Sequence, residues 1–200
     1  MIKTVASMDI EIISDPKAKY LIPEKAKGER SEPWDKLKFD SNFNRICCWA
    51  MFDGVDTRSS IMGPYADEKT ILEEFWDSCM DYQQLIGFNS LSFDVPFLVK
   101  RSWYNGVKPR RQLNLRRYVT PDRNTNHIDL RQLLGNWDGY ARGSLDLYAK
   151  LMLGEDKGGI DGSMVQGLWD EGRFGDLIKY NESDAKLTYA LYLSMVGYYL

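Results

Sequence analysis

Hydrophobic and polar positions along this chain of 200 residues switch between two periods, one suited to strands and one to helices. Residues 2–13, IKTVASMDIEII, predict a first strand, with Val5, Ile10, Ile12 and Ile13 as strand-type residues. The continuous apolar run ICCWAMF at 46–52 predicts a second strand. Asp53-Gly54 signals a turn, and 57–62 reads as the returning hairpin strand. The period then changes. Ile71, Leu72, Phe75, Trp76 and Cys79 recur at helical spacing across 67–82, with Glu68, Glu73 and Glu74 mostly outward. QLIGF at 84–88 predicts another central strand, and Asp94 opens a helix to about Trp103, with Pro96 tolerated in its first turn. Residues 127–130 suit a short strand or strand-to-helix turn. Ser144 fits an N-cap for a helix ending near Gly154. A short helix within 161–172 precedes a final long one from about 174, with Leu177, Ile178, Leu187, Ala190 and Leu191 on its apolar side. Strands first, mixed elements next and helices last predict the α/β class, a sheet with helices packed on it. Residues 14–45 break the pattern: polar, with Pro16, Pro23 and Pro33, they read as an insertion within a single domain spanning 1–200.

Composition narrows the chemistry. Hydrophobic residues at 44% and aromatics at 13% support a core and argue against disorder. No apolar run approaches the roughly 18 residues of a membrane span, and the N-terminus lacks a secretion-signal pattern. Cys47, Cys48 and Cys79 are an odd set without a C-x-x-C pair, which suits a reducing cytoplasm. His127 is the one histidine, so a multi-histidine metal site is excluded; a metal here would be held by carboxylate oxygens, as Mg²⁺ or Mn²⁺ prefers. Between Lys100 and Tyr118 stand seven basic residues and no acid, interleaved with Trp103 and Tyr104 and closed by Tyr118. That segment suits a nucleic-acid backbone with stacked bases, or a solvated basic loop, and composition alone does not choose.

Asp9 and Glu11, two apart on the first strand, project from one face. On a buried strand their repulsion and desolvation call for a compensating cation; on a half-exposed one they are two solvated acids. Two further segments supply partners. Asn89-Ser90-Leu91-Ser92-Phe93-Asp94 follows the QLIGF strand. Tyr180 and Asp184 lie at i and i+4 on one face of the last helix.

In order, D-x-E, N-x-x-x-F-D and Y-x-x-x-D resemble the three exonuclease motifs of the DEDD superfamily. Tyr180 marks the tyrosine branch; the histidine branch would place histidine where Lys179 stands. Residues 86–98, IGFNSLSFDVPFL, are similar to the second motif of the proofreading domains of family B DNA polymerases. Ser144-Leu145 with Tyr148 resembles their S/T-L-x-x-hydrophobic motif, and Lys157 with Ile160 their K-x-x-hydrophobic motif. Met8 departs from the family's usual phenylalanine, an apolar exchange. The resemblance implies a ribonuclease H-like mixed sheet flanked by helices and a 3′→5′ exonuclease using two divalent ions, Mg²⁺ or Mn²⁺. It implies Asp9, Glu11, Asp94 and Asp184 as metal ligands, Tyr180 orienting the attacking water and Lys157 beside the scissile phosphate. Asn89, Phe93, Ser144 and Leu145 would contact the strand. The expected substrate is single-stranded DNA, cut to nucleoside 5′-monophosphates, with replication or repair proteins as partners. An RNA 3′-exonuclease on the same fold and a catalytically silent nucleic-acid-binding subunit are the rival readings.

Overall fold

The computed structural model describes residues 3–18, 37, 39–118, 121–122, 124–140, 143–155, 159 and 161–200. Most of the insertion lies outside them, as does Lys157. Five strands form one mixed sheet: β1 (Lys3–Ser14), β2 (Asn44–Phe52), β3 (Thr57–Ile61), β4 (Tyr82–Gly87) and β5 (His127–Asp129), in the order β3-β2-β1-β4-β5. β1 to β3 are antiparallel, while β4 and β5 run parallel to β1, so the carboxyl ends of β4 and β5 open on the same edge.

Alternation along β1 decides what each face meets. Ile10 pairs with Trp49, whose indole N–H donates to the Ile71 carbonyl at 2.7 Å, in helix α1 (Glu68–Cys79). Asp9 pairs with Ala50 and Ser7 with Phe52, on the opposite face. There the Ser7 hydroxyl donates to the Ala185 carbonyl at 2.6 Å, and Phe52 packs edge-on against Tyr189. Both partners belong to the long C-terminal helix, α6 (Phe174–Met195). Helices thus cover both faces, with α1 and α2 (Asp94–Tyr104) on one side and α6 on the other. Short elements complete the chain: α3 (Leu130–Leu134), α4 (Leu145–Tyr148) continued by a π-turn at Ala149–Leu153, a 3₁₀ turn at Gly162–Met164, and α5 (Val165–Asp170).

α1 forms where predicted, capped by Asp67, whose side chain accepts from Thr70 N–H at 2.9 Å. It buries Ile71, Leu72, Phe75, Trp76 and Cys79, each contributing about 1.5–3 kcal/mol of hydrophobic stabilisation for the larger side chains. It ends at Cys79 rather than at Tyr82, because Tyr82 already belongs to β4. The Arg111 guanidinium donates to the carbonyls of Cys79 and Gln83 on either side of this change. A second difference is α3, a single helical turn that immediately follows β5.

The basic segment is partly structural. Arg101 is buried, pairing with Asp15 at 3.0 Å and Glu68 at 2.5 Å, and it ties the start of the insertion to α1 and α2. Arg110 pairs with Asp77. Arg101 and Arg111 therefore brace the protein itself, while Lys108, Arg110, Arg116 and Arg117 are exposed.

Candidate active site

On the α6 face of β1, the strand's geometry sets Asp9 and Glu11 side by side, and α6 brings Asp184 to them. One carboxylate oxygen from each of the three lies within 4.8 Å of the others. Asp184 is buried and the two strand acids are half-buried. Asn181, one turn before Asp184, is fully buried and donates its Nδ2–H to Asp9 Oδ2 at 2.7 Å. It therefore fixes that carboxylate's rotation. Its position was legible only as a polar stripe, Asn181, Asp184 and Thr188 at i, i+3 and i+7, on an otherwise apolar buried helix face.

Tyr180 joins the cluster through a hydrogen bond to Asp184. Burial raises its pKa first, and the charges of Glu11, Asp184 and Asp9 raise it further, so the phenol stays neutral at any working pH. The turn at Gly162 borders it: a Cβ there would stand 4.0 Å from the Tyr180 hydroxyl.

Asp94 stands one step aside. It opens α2, and its Oδ1 accepts the N–H of Ile10, between the two strand acids, at 3.2 Å. It is not one of the three acids that converge within 4.8 Å. Burial pushes its carboxyl up to about 7, against the pull of its own backbone N–H, and Asp129 nearby adds to the rise.

Asp129 organises the loop between β4 and α2. It sits at the end of β5, in register with Gly87 at the end of β4. Its carboxylate accepts from Asn89 N–H at 2.9 Å and Leu91 N–H at 2.8 Å, while also capping α3 through Arg131 and Gln132. Burial raises its pKa and these four donors oppose the rise. His127 assists from two residues earlier. Its Nδ1 meets the Asn114 carbonyl at 3.0 Å, so Nδ1 carries the proton and Nε2 accepts from the Ser90 hydroxyl at 2.8 Å. Burial pushes the imidazole down to about 4, which keeps it neutral. Serving as a buried brace, it has no place among the acids.

The predicted strand contacts fall in different surroundings. Asn89 lies on the loop in a left-handed conformation, φ 65°. Phe93 precedes α2 and stacks in a ring cluster with Phe97 and Phe39, at 5.4 and 6.1 Å. Ser144 is exposed and caps α4, accepting Leu147 N–H at 3.1 Å. Leu145 is buried in a second core cluster with Ile86, Ile128, Leu187 and Leu191. The structure brings Asp9, Glu11, Asp184 and Tyr180 together, ties Asp94 at the start of α2 to the strand between them, leaves Asn89 on the loop that leads into α2, and holds Ser144 and Leu145 at the start of the separate helix α4.

The donor set suits a divalent ion. Three hard carboxylate oxygens converge within 4.8 Å, and Asn181 donates to one of these carboxylates.

A β3-β2-β1-β4-β5 sheet with helices on both faces, and acids gathered between its central strand and α6, has the ribonuclease H-like architecture. Residues 39–198 match the family described as predicted 3′-5′ exonuclease related to the exonuclease domain of PolB, and the chain belongs to that family. The structure is similar to that of the family B DNA polymerase from the hyperthermophilic archaeon Pyrobaculum calidifontis, with a TM-score of 0.67 and 18% sequence identity over 96% of this chain. That likeness concerns the fold, and this chain spans 24% of the polymerase. No curated protein matches the sequence. No helix among the described residues is long and apolar enough to cross a membrane.

Proposed function

We propose that this protein removes nucleotides one at a time from the 3′ end of single-stranded DNA. A water molecule attacks the terminal phosphodiester phosphorus, the bond to the 3′ oxygen breaks, that oxygen takes up a proton, and a nucleoside 5′-monophosphate leaves. The observation that carries this reading is the convergence of Asp9, Glu11 and Asp184 within 4.8 Å in a chain of this family.

In this reading Asp9, Glu11, Asp184 and Asp94 hold two divalent ions, Mg²⁺ or Mn²⁺. When bound, such ions supply charge neutralisation at the attacking and leaving oxygens and a more acidic water. The residues around them do the positioning. Asn181 holds Asp9. Tyr180, a neutral phenol with its hydroxyl on Asp184, keeps lone pairs to accept from the attacking water and orients it; it is no base. Asn89 and Phe93 contact the terminal nucleotides. Ser144 offers an exposed hydroxyl to the strand and Leu145 only its narrow exposed edge. Lys157 offers a point charge to the phosphate. The choice of DNA over RNA rests on the kinship with polymerase exonuclease domains, which also supports a setting in replication or repair.

A time course on matched 5′-labelled DNA and RNA oligonucleotides tests this, with Mg²⁺ or Mn²⁺, with chelator, and with Asp184→Asn. The expected result is stepwise shortening from the 3′ end, faster on DNA, abolished by chelator and slowed by at least about 10²-fold in the variant, as loss of a metal ligand predicts. Faster digestion of RNA would favour the RNA exonuclease. A parent protein that binds either strand without shortening it would mark a silent binding subunit.

A further inference from the structure

Asn89 is the residue of the β4–α2 loop whose hydrogen bonds can be accounted for group by group. Its backbone N–H goes to Asp129 Oδ1 at 2.9 Å, and its carbonyl accepts from Ser92 and Phe93, both at 3.1 Å. Its side-chain Oδ1 accepts from Arg131 Nη1 at 2.7 Å. Among the described residues no acceptor meets Nδ2, and the side chain is only half-buried. A guanidinium can only donate, so the amide oxygen must face Arg131 and the –NH₂ must face away. Arg131 is itself held: its own N–H donates to the same Asp129 oxygen, at 3.0 Å.

We infer that Arg131 is a positioning residue that locks the Asn89 amide with its –NH₂ toward the substrate strand. The inference rests on the reading of Asn89 as a strand contact given above. A fixed donor has a simple consequence. Every nucleotide carries acceptors on its sugar and phosphate, and every base an O2 or N3 acceptor on its minor-groove edge. A donor locked outward can therefore grip any 3′ end alike, whereas an amide free to flip would turn its oxygen toward those acceptors part of the time. Arg131 thereby makes the contact independent of sequence.

Steady-state digestion of 5′-labelled (dT)12 and (dA)12 tests this with Arg131→Ala, Asn89→Ala, the double variant and Arg131→Lys. Loss of one positioned hydrogen bond predicts a KM raised about 3- to 10-fold by Arg131→Ala, similarly on both oligonucleotides, with kcat within about twofold of the parent. In the Asn89→Ala background Arg131→Ala should change nothing further, and Arg131→Lys, which still donates, should recover most of the KM. The inference is overturned if the two substitutions are additive, which would make Arg131 a direct contact or a brace of the fold. An unchanged KM in Arg131→Ala overturns it as well. A parent enzyme that digests DNA while Asn89→Ala keeps its KM overturns the reading of Asn89 beneath it. A parent that digests nothing overturns the nuclease itself.

Discussion

Gly87, the last residue of β4, faces Ser90 across the turn into the loop. A Cβ built on Gly87 would stand 2.2 Å from the Ser90 hydroxyl oxygen and 2.3 Å from its Cβ. Those atoms cannot swing clear at no cost, because Ser90 is fully buried and its hydroxyl is engaged with His127 at 2.8 Å. Gly87→Ala therefore overpacks the loop, at about 1–3 kcal/mol. If Ser90 is driven off His127, a buried imidazole acceptor is left unmet, adding about 1–3 kcal/mol. For a chain of this length each kcal/mol lowers the melting midpoint by about 2–4 °C.

Ser90→Gly removes both obstructing atoms; the next neighbour of the new methyl is the residue 90 Cα at 3.7 Å, an ordinary contact. Ser90→Gly alone loses the His127 bond and gains backbone freedom, and both costs recur in the double variant, so they cancel in a double-mutant cycle. Gly87→Ala should thus be costly in the parent and nearly neutral in the Ser90→Gly background, a coupling of about 1–3 kcal/mol or more read from urea unfolding. If Gly87→Ala costs the same in both backgrounds, the steric account of the glycine is wrong.

Two other perturbations bear on the acids. Asn181→Ala removes one bond that orients Asp9 and, if Asp9 is a metal ligand as proposed, should weaken Mn²⁺ binding about 10- to 100-fold; an unchanged Mn²⁺ titration by calorimetry would refute the role of Asn181. Asp94 in the metal-free protein titrates near about 7, above its unfolded value, so its contribution to stability is complete below about pH 4 and is lost as pH rises through 7. Asp94→Asn carries no such charge and should gain stability over the parent as pH rises from about 4 to 8 in chelator, measured by urea unfolding; a difference constant across that range would contradict the burial of Asp94.

Much of the fold could be read from the sequence because its signals are local. The strands and α1 follow from periodicity, α2 from the Asp94-Val95-Pro96 start, and α4 from Ser144 as its cap. Asp9 and Glu11 share a face because strands alternate, and Tyr180 and Asp184 because helices turn. Other features depend on pairings that span the chain. Asp129 reaches the Asn89–Leu91 backbone only because β5 lies parallel to β4 with Asp129 opposite Gly87, some forty residues away. Helix α3 is one turn, too short to show a period. In the basic segment, Arg101 counts as surface charge by composition, yet Asp15 and Glu68 take it into the interior. A charged residue's sequence neighbours do not reveal a partner contributed by another element.

The loop from 88 to 93 and the first residue of α2 carry both kinds of residue that the proposed chemistry needs, a strand contact at Asn89 and an acid at Asp94. Val95 N–H donates to the Ser90 carbonyl at 2.9 Å, so the start of α2 is fastened to the part of the loop that His127 and Asp129 hold. In the proposed reading, grip on the 3′ end and placement of Asp94 are therefore set together, from β5 and α3. The acids on β1 and α6 rest on different supports, the Ser7–Ala185 bond and the Asn181–Asp9 bond. Two independently braced halves meet at Ile10, whose N–H is held by Asp94 and whose neighbours are Asp9 and Glu11. Damage to the β5–α3 junction should accordingly disturb the strand and Asp94 while leaving the Asp9, Glu11 and Asp184 cluster in place.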